Sequence, residues 1–301
     1  MRTLLIPFQI LLTALMSAGC PETSGHFTRI MDIRYASTPG VEAHLQSLDI
    51  YLPDPVPAHP MPVVIWVHGG GWAIGDKANQ MQYKPALFTG VGYCFVSINY
   101  RLSPDPPTWA PDRITHPAHV QDVASAIAWV HQHIGGYGGD PSRIAVMGHS
   151  AGAHLVSLVS TDESYLGAHG LTLSVIKGTA SIDCDGYDIP GHFADEPGDP
   201  IYRNAFGDDP LVWADASPVN HVAAGKGIPP HLFALRGSEN RRMRTIAFAD
   251  SLEAAGIATT RVVTATYSHY EVNRNIGRPG ETVITPPLMR FLAEVFGTDQ
   301  P

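Results

Sequence analysis

The segment Gly148-His149-Ser150-Ala151-Gly152 sets a hydroxyl between two glycines, directly after the apolar run Ile144 to Met147 and at the start of a helical pattern from Ala151 to Ser160. A serine on so sharp a strand-to-helix turn stands clear of the backbone, and glycine two positions either side avoids collisions there. At a helix N-terminus, negative charge developing near that hydroxyl is favoured. The chemistry such a residue could do is nucleophilic attack on an acyl carbon. A second stretch, His68-Gly69-Gly70-Gly71-Trp72, follows the apolar run Val63 to Val67. Its glycines can turn backbone N–H groups toward an oxyanion without a Cβ in the way. Gly70 and Gly71 are the expected donors, with the N–H of Ala151 as the third. A phosphate-binding loop is excluded because no Gly-Lys-Ser/Thr follows. His68 and Trp72 read as packing residues that shape the loop.

A serine hydroxyl is a weak nucleophile at neutral pH and needs a base. Of the 15 histidines, His269 stands just past the strand-like run Arg261 to Thr266, where the chain order serine, acid, histidine places the base. The acid that orients it is expected at the end of the run His231 to Leu235. There Glu239 is the one carboxylate, 89 residues after Ser150 and 30 before His269. Many hydrolases carry aspartate one position later, where this chain has Asn240. Asp183 and Asp185, after the preceding strand Leu173 to Ile182, are the fallback acids.

Short runs rich in Val, Ile, Tyr and Phe must position these residues. Val63 to Val67, Tyr93 to Ile98, Ile144 to Met147, His231 to Leu235 and Arg261 to Thr266 are apolar on both faces, as in the middle of a covered parallel sheet. Thr28 to Tyr35 and Leu45 to Leu52 alternate and predict an N-terminal antiparallel pair. Helices are predicted over Val120 to His133 and Arg242 to Ala255, both ended by glycine, and over Pro287 to Phe296. The alternation predicts an α/β fold built of βαβ units. Asp183 to Pro230 shows no sustained period and only weak helix signals, and reads as a loop-rich lid over the C-terminal edge of the sheet.

The composition, 44% hydrophobic and 16% charged over 301 residues, suits one domain with a large core. The net charge of -9 and the lack of a Lys/Arg run exclude a nucleic-acid partner. Residues 1–20 hold Arg2, the apolar stretch Leu4 to Met16 and small residues before Cys20, the pattern of a signal peptide. The stretch is shorter than the roughly 18 to 20 apolar residues of a spanning helix. Ser17-Ala18-Gly19-Cys20 is similar to a bacterial lipoprotein cleavage box, so an exported protein tethered to the cell envelope through a lipid on Cys20 is expected, with a secreted or periplasmic protein as the alternative and residues 21–301 as the single folded domain. Cys94 and Cys184 are too few for a disulfide framework. No metal-binding motif occurs among the histidines and cysteines.

Together with Ala216-Ser217-Pro218, Ile228-Pro229-Pro230 and His269-Tyr270-Glu271-Val272-Asn273-Arg274, the serine pentapeptide and the glycine loop resemble the bacterial esterase/lipase branch of the α/β-hydrolases. That branch is related to the hormone-sensitive-lipase-like and kynurenine-formamidase-like enzymes, and the resemblance covers roughly Arg29 to Phe296. It implies an eight-stranded, mostly parallel sheet with helices on both faces, and hydrolysis of small-molecule carboxylic esters without a cofactor. Formamidase-like members carry a glutamate where Glu239 stands, which keeps an aryl formamidase or other amidase as the alternative enzyme. A non-catalytic binding protein of the same fold is the alternative from another class, although such proteins typically lose the serine, the histidine or the glycine loop.

Overall fold

The computed structural model describes residues 26–298 apart from positions 106, 108, 109 and 111. The leader-like segment and Cys20 lie outside the described residues. Eight strands form one sheet: β1 (Phe27–Arg34), β2 (Ser47–Pro53), β3 (Met61–Val67), β4 (Cys94–Ile98), β5 (Gly139–His149), β6 (Ile176–Ile182), β7 (His231–Leu235) and β8 (Thr259–Val263). Their spatial order is β1-β2-β4-β3-β5-β6-β7-β8. β1 and β2 pair antiparallel, as do β2 and β4. All other neighbours are parallel.

Among the described residues ten α-helices connect and cover the strands: α1 (Lys84–Gly90), α2 (Ala118–His133), α3 (Ala151–Thr161), α4 (Glu163–Gly167), α5 (Ile189–Asp195), α6 (Pro200–Phe206), α7 (Pro210–Asp215), α8 (Glu239–Ala254), α9 (Glu271–Arg274) and α10 (Thr285–Phe296). Alternate residues of the central strands point to opposite faces. On β3, Val63, Ile65 and Val67 join a core that includes residues of α2, α3 and α8. Val64 and Trp66 join a second core, built with Phe88 of α1 and with Leu288, Phe291 and Phe296 of α10. Both faces of β3 are therefore buried, which is why its sequence is an unbroken apolar run.

Two boundaries differ from the sequence expectation in ways that bear on the site. The strand expected to run to Thr266 stops at Val263; beyond it Thr264 N donates to Leu235 O, and Tyr267 N closes a turn onto Thr264 O. Helix α8 begins at Glu239, three residues before the expected Arg242, because Ser238 caps it by accepting from Arg241 N at 3.3 Å.

The segment Asp183 to Pro230 is less loop-like than its composition predicts. It holds α5, α6 and α7, each six or seven residues long. Each follows an aspartate whose side chain accepts from a first-turn amide, Asp188, Asp199 and Asp209 in turn, with proline in the first two positions. Proline there sacrifices no intrahelical hydrogen bond. No helix among the described residues is long and apolar enough to cross a membrane.

Candidate active site

Ser150 occupies the turn between β5 and α3 with φ 56° and ψ −122°, a left-handed conformation that costs a non-glycine residue about 1–3 kcal/mol. Its neighbours hold it there. Ser150 N donates to Ile182 O at 3.0 Å, and Ser150 O accepts from His154 N at 3.1 Å. A Cβ on Gly148 would lie 2.3 Å from Gly152 O, and one on Gly152 would lie 2.2 Å from Val67 O. Only glycine allows β5, α3 and the end of β3 to approach this closely.

The glycine loop leaves β3 and packs directly on the turn. A Cβ on Gly69 would fall 3.0 Å from Ser150 Cβ. Gly70, at φ 124°, could not carry a side chain, since its Cβ would sit 1.9 Å from Ile74 O. The amides of Gly70, Gly71 and Ala151 have no hydrogen bond to another described residue, and so remain free to meet a substrate oxygen. Trp72 anchors the loop: its Nε1 donates to His154 Nδ1 at 3.3 Å, and its indole meets the rings of Tyr202 and Phe206 from α6 edge-on. His68 stacks on Tyr100, whose hydroxyl donates to His68 O at 3.1 Å. Burial pushes the His68 imidazole down to about 4. Both residues shape the loop, as their sequence context predicts.

His269 follows the turn after β8, and its Nδ1 lies 2.6 Å from Asp183 Oδ2. A carboxylate can only accept, so Nδ1 carries the proton and Nε2 is left with its lone pair, the tautomer a general base requires. The pairing corrects the expectation for Glu239. That residue is exposed, in the first turn of α8, where its charge complements the helix dipole, and it does not line the cavity. Asp183, one of the two fallback acids, stands instead at the end of β6. The other, Asp185, pairs with Arg241 Nη1 at 2.6 Å and with Arg244, away from the imidazole.

Burial alone would raise the Asp183 carboxyl, but the hydrogen bond from His269 and the charges of Arg241 and Arg236 outweigh it and hold the group well below the ordinary carboxylate range. Arg236 Nε donates to Oδ2, and Arg241 Nε donates to Oδ1 at 2.9 Å.

His149, the residue before Ser150, is not singled out by the sequence reading. Its Nε2 meets the backbone carbonyl of His269 at 2.8 Å, and the two rings lie 4.5 Å apart. A carbonyl accepts only, so Nε2 is the protonated nitrogen. Burial, reinforced by His269, pushes His149 down to about 3 and keeps it neutral.

Ser150, His269, Gly70, Gly71 and Ala151 all line one cavity of about 980 Å³. The segment after β6 supplies a wall of it, including Asp185, His192, Asp199, Ile201 and Tyr202. Ile201 lies directly over Gly71, whose added Cβ would be 2.9 Å from Ile201 Cγ2. His149, Asp183 and His269 have nitrogen and oxygen atoms close enough to hold a cation. Those of Asp183 are already taken by two guanidinium groups and an imidazole, an environment hostile to further positive charge.

Known proteins match this arrangement. The BD-FAE family model matches residues 48–172, which span the glycine loop and the serine turn. Esterase LipQ of Mycobacterium tuberculosis is 32% identical over 258 residues, 79% of this chain and 56% of LipQ. The chain is similar in sequence to proteins of the esterase/lipase branch of the α/β-hydrolases. The chain spans little more than half the length of LipQ. Carboxylesterase NlhH of the same species is 29% identical over 74% of this chain and 70% of its own. Among solved structures, a truncated carbohydrate esterase from gut microbiota superposes with a TM-score of 0.73 at 22% identity, covering 92% of this chain and 99% of that one. Esterase B from Lactobacillus rhamnosis gives 0.72 at 19% identity, covering 90% and 86%. At these identities the structural likeness establishes the fold.

Both thiols of the described α/β-hydrolase domain, Cys94 and Cys184, are buried and free. Burial pushes Cys184 up to about 12 and Cys94 higher still, so neither is a nucleophile at neutral pH.

Proposed function

We propose that this protein is a serine hydrolase that cleaves small-molecule carboxylic esters through an acyl-enzyme on Ser150. The observation that carries the reading is the 2.6 Å contact between the buried Asp183 and Nδ1 of His269, a residue that lines the same cavity as Ser150. His269 Nε2 takes the Ser150 proton as the hydroxyl attacks the ester carbonyl. The N–H groups of Gly70, Gly71 and Ala151 receive the oxyanion, and loss of one such donor typically costs about 10² to 10³ in rate. His269 then protonates the departing alcohol. Water repeats the sequence on the acyl-enzyme, while Asp183 holds the imidazole in its working tautomer.

Hydrolysis of p-nitrophenyl acetate and labelling by a fluorophosphonate probe test the reading. The wild-type protein should do both and Ser150→Ala neither; equal activity of the two would refute it. Comparing N-formylkynurenine with phenyl acetate separates an esterase from the formamidase alternative. Export and lipidation of Cys20 are part of the proposal and rest on the pattern of residues 1–20. Fractionation of cells making wild-type and Cys20→Ser protein tests them: only the wild type should stay with the membranes.

A further inference from the structure

Asp183 is 1% exposed at its side chain and serves three donors, two of them permanent cations. Arg236 stands just after β7, the strand end where the sequence reading looked for the acid. That edge contributes a cation, and the carboxylate comes from the neighbouring strand end. Arg236 Nε and His269 Nδ1 converge on the same oxygen, Asp183 Oδ2. Arg241, in the first turn of α8, donates to Oδ1 at 2.9 Å and, through Nη2, to the main-chain oxygen of Asp183, also at 2.9 Å. It thereby braces a residue whose backbone is in the left-handed region, at φ 53°.

We propose that Arg236 and Arg241 are positioning residues for the reaction: they fix Asp183 at the end of β6 as the partner of His269, Arg236 by sharing Oδ2 with the imidazole and Arg241 by holding Oδ1 and the main-chain oxygen. The proposal rests on the roles given above to Ser150, His269 and Asp183. An unshared carboxylate would favour the imidazolium strongly. A guanidinium on the same oxygen takes part of that hydrogen-bonding capacity and adds a positive charge close to the ring, so removing it should favour the imidazolium. The other groups facing this cluster are Asp185 and the Cys184 thiol after β6, Arg244 on α8 and the neutral His149 at the end of β5, with Lys84 of α1 acting on His149. Asp185 is already shared between Arg241 and Arg244, which leaves Arg236 as the cation whose charge falls on the Asp183–His269 pair alone.

The test is the pH dependence of kcat/KM for p-nitrophenyl acetate in wild-type, Arg236→Gln, Arg236→Lys and Asp183→Asn proteins. Arg236→Gln should move the acid limb upward by about one pH unit, the usual scale for loss of one nearby charge. Arg236→Lys keeps the charge without the planar fork; it should move the limb less and lower kcat several-fold. A purely structural role would lower activity or stability with the limb in place. An unmoved limb in Arg236→Gln overturns the proposal, as does wild-type behaviour of Arg236→Lys if the glutamine variant does not fold. Wild-type activity in Asp183→Asn would overturn the underlying assignment instead, so the two failures are distinguishable.

Discussion

His149 Nε2 donates to the main-chain carbonyl of His269 at 2.8 Å, so the residue preceding Ser150 holds the loop that carries the His269 imidazole. His149→Ala removes this tie and leaves a void beneath the His269 ring. Misplacing a catalytic group by about 1 Å can cost about 10²-fold in rate. The expected result is a 10- to 100-fold fall in kcat with KM nearly unchanged, partly restored in His149→Gln, which can still donate. Steady-state kinetics of the three proteins check it.

Gly152→Ala should be strongly damaging. The added Cβ would lie 2.2 Å from Val67 O and 2.5 Å from His68 O, both main-chain atoms that cannot turn aside. Overpacking of this kind costs about 1–3 kcal/mol or more. In a domain of this size that is a fall of roughly 2–12 °C in Tm. Thermal unfolding measures it, and esterase activity should fall in parallel because Ser150 rides on the same turn.

Stability should decline in mild acid. Burial pushes His68 and His231 down to about 4, and His119, His149 and His154 down to about 3. Unfolded histidine titrates near about 6.5. Below that pH the unfolded chain binds more protons than the folded one, so folded-state stability is fully present above about 6.5 and is lost as the pH falls. The loss is about 1.4 kcal/mol per pH unit for each histidine. Asp183, whose carboxyl is depressed, adds a further loss only below about pH 4. Tm should therefore be level from pH 8 to 7 and drop by at least about 10 °C between pH 7 and 5; a flat profile would show that these imidazoles are hydrated or charged in the fold.

The central strands were legible because burial on both faces writes itself as unbroken apolar runs, as in Val63 to Val67. The serine turn and glycine loop were legible because their backbone geometry admits few residues. Helices α5 to α7 were not, being too short to build a period; their signal is an aspartate with a proline one or two residues later, at Asp188, Asp199 and Asp209. The acid was misread for a related reason. Ser238-Glu239 opens a helix, and a serine cap followed by an acidic first turn announces that in the sequence. Which of two adjacent strand ends turns its carboxylate inward, however, is decided by the arginines that meet it, and Arg236 and Arg241 meet Asp183 only in the folded chain. His149 was overlooked because the two positions flanking the serine in such a pentapeptide accept many residue types.

The most direct measurement is kcat/KM for a short p-nitrophenyl ester in Asp183→Asn beside Glu239→Gln. With Asp183 as the partner of His269, the first variant should lose about 10³- to 10⁴-fold, as when an orienting aspartate is removed from such a triad. The second should stay within about twofold of wild type, because Glu239 is exposed and outside the cavity. A large loss in Glu239→Gln with little change in Asp183→Asn would contradict the account.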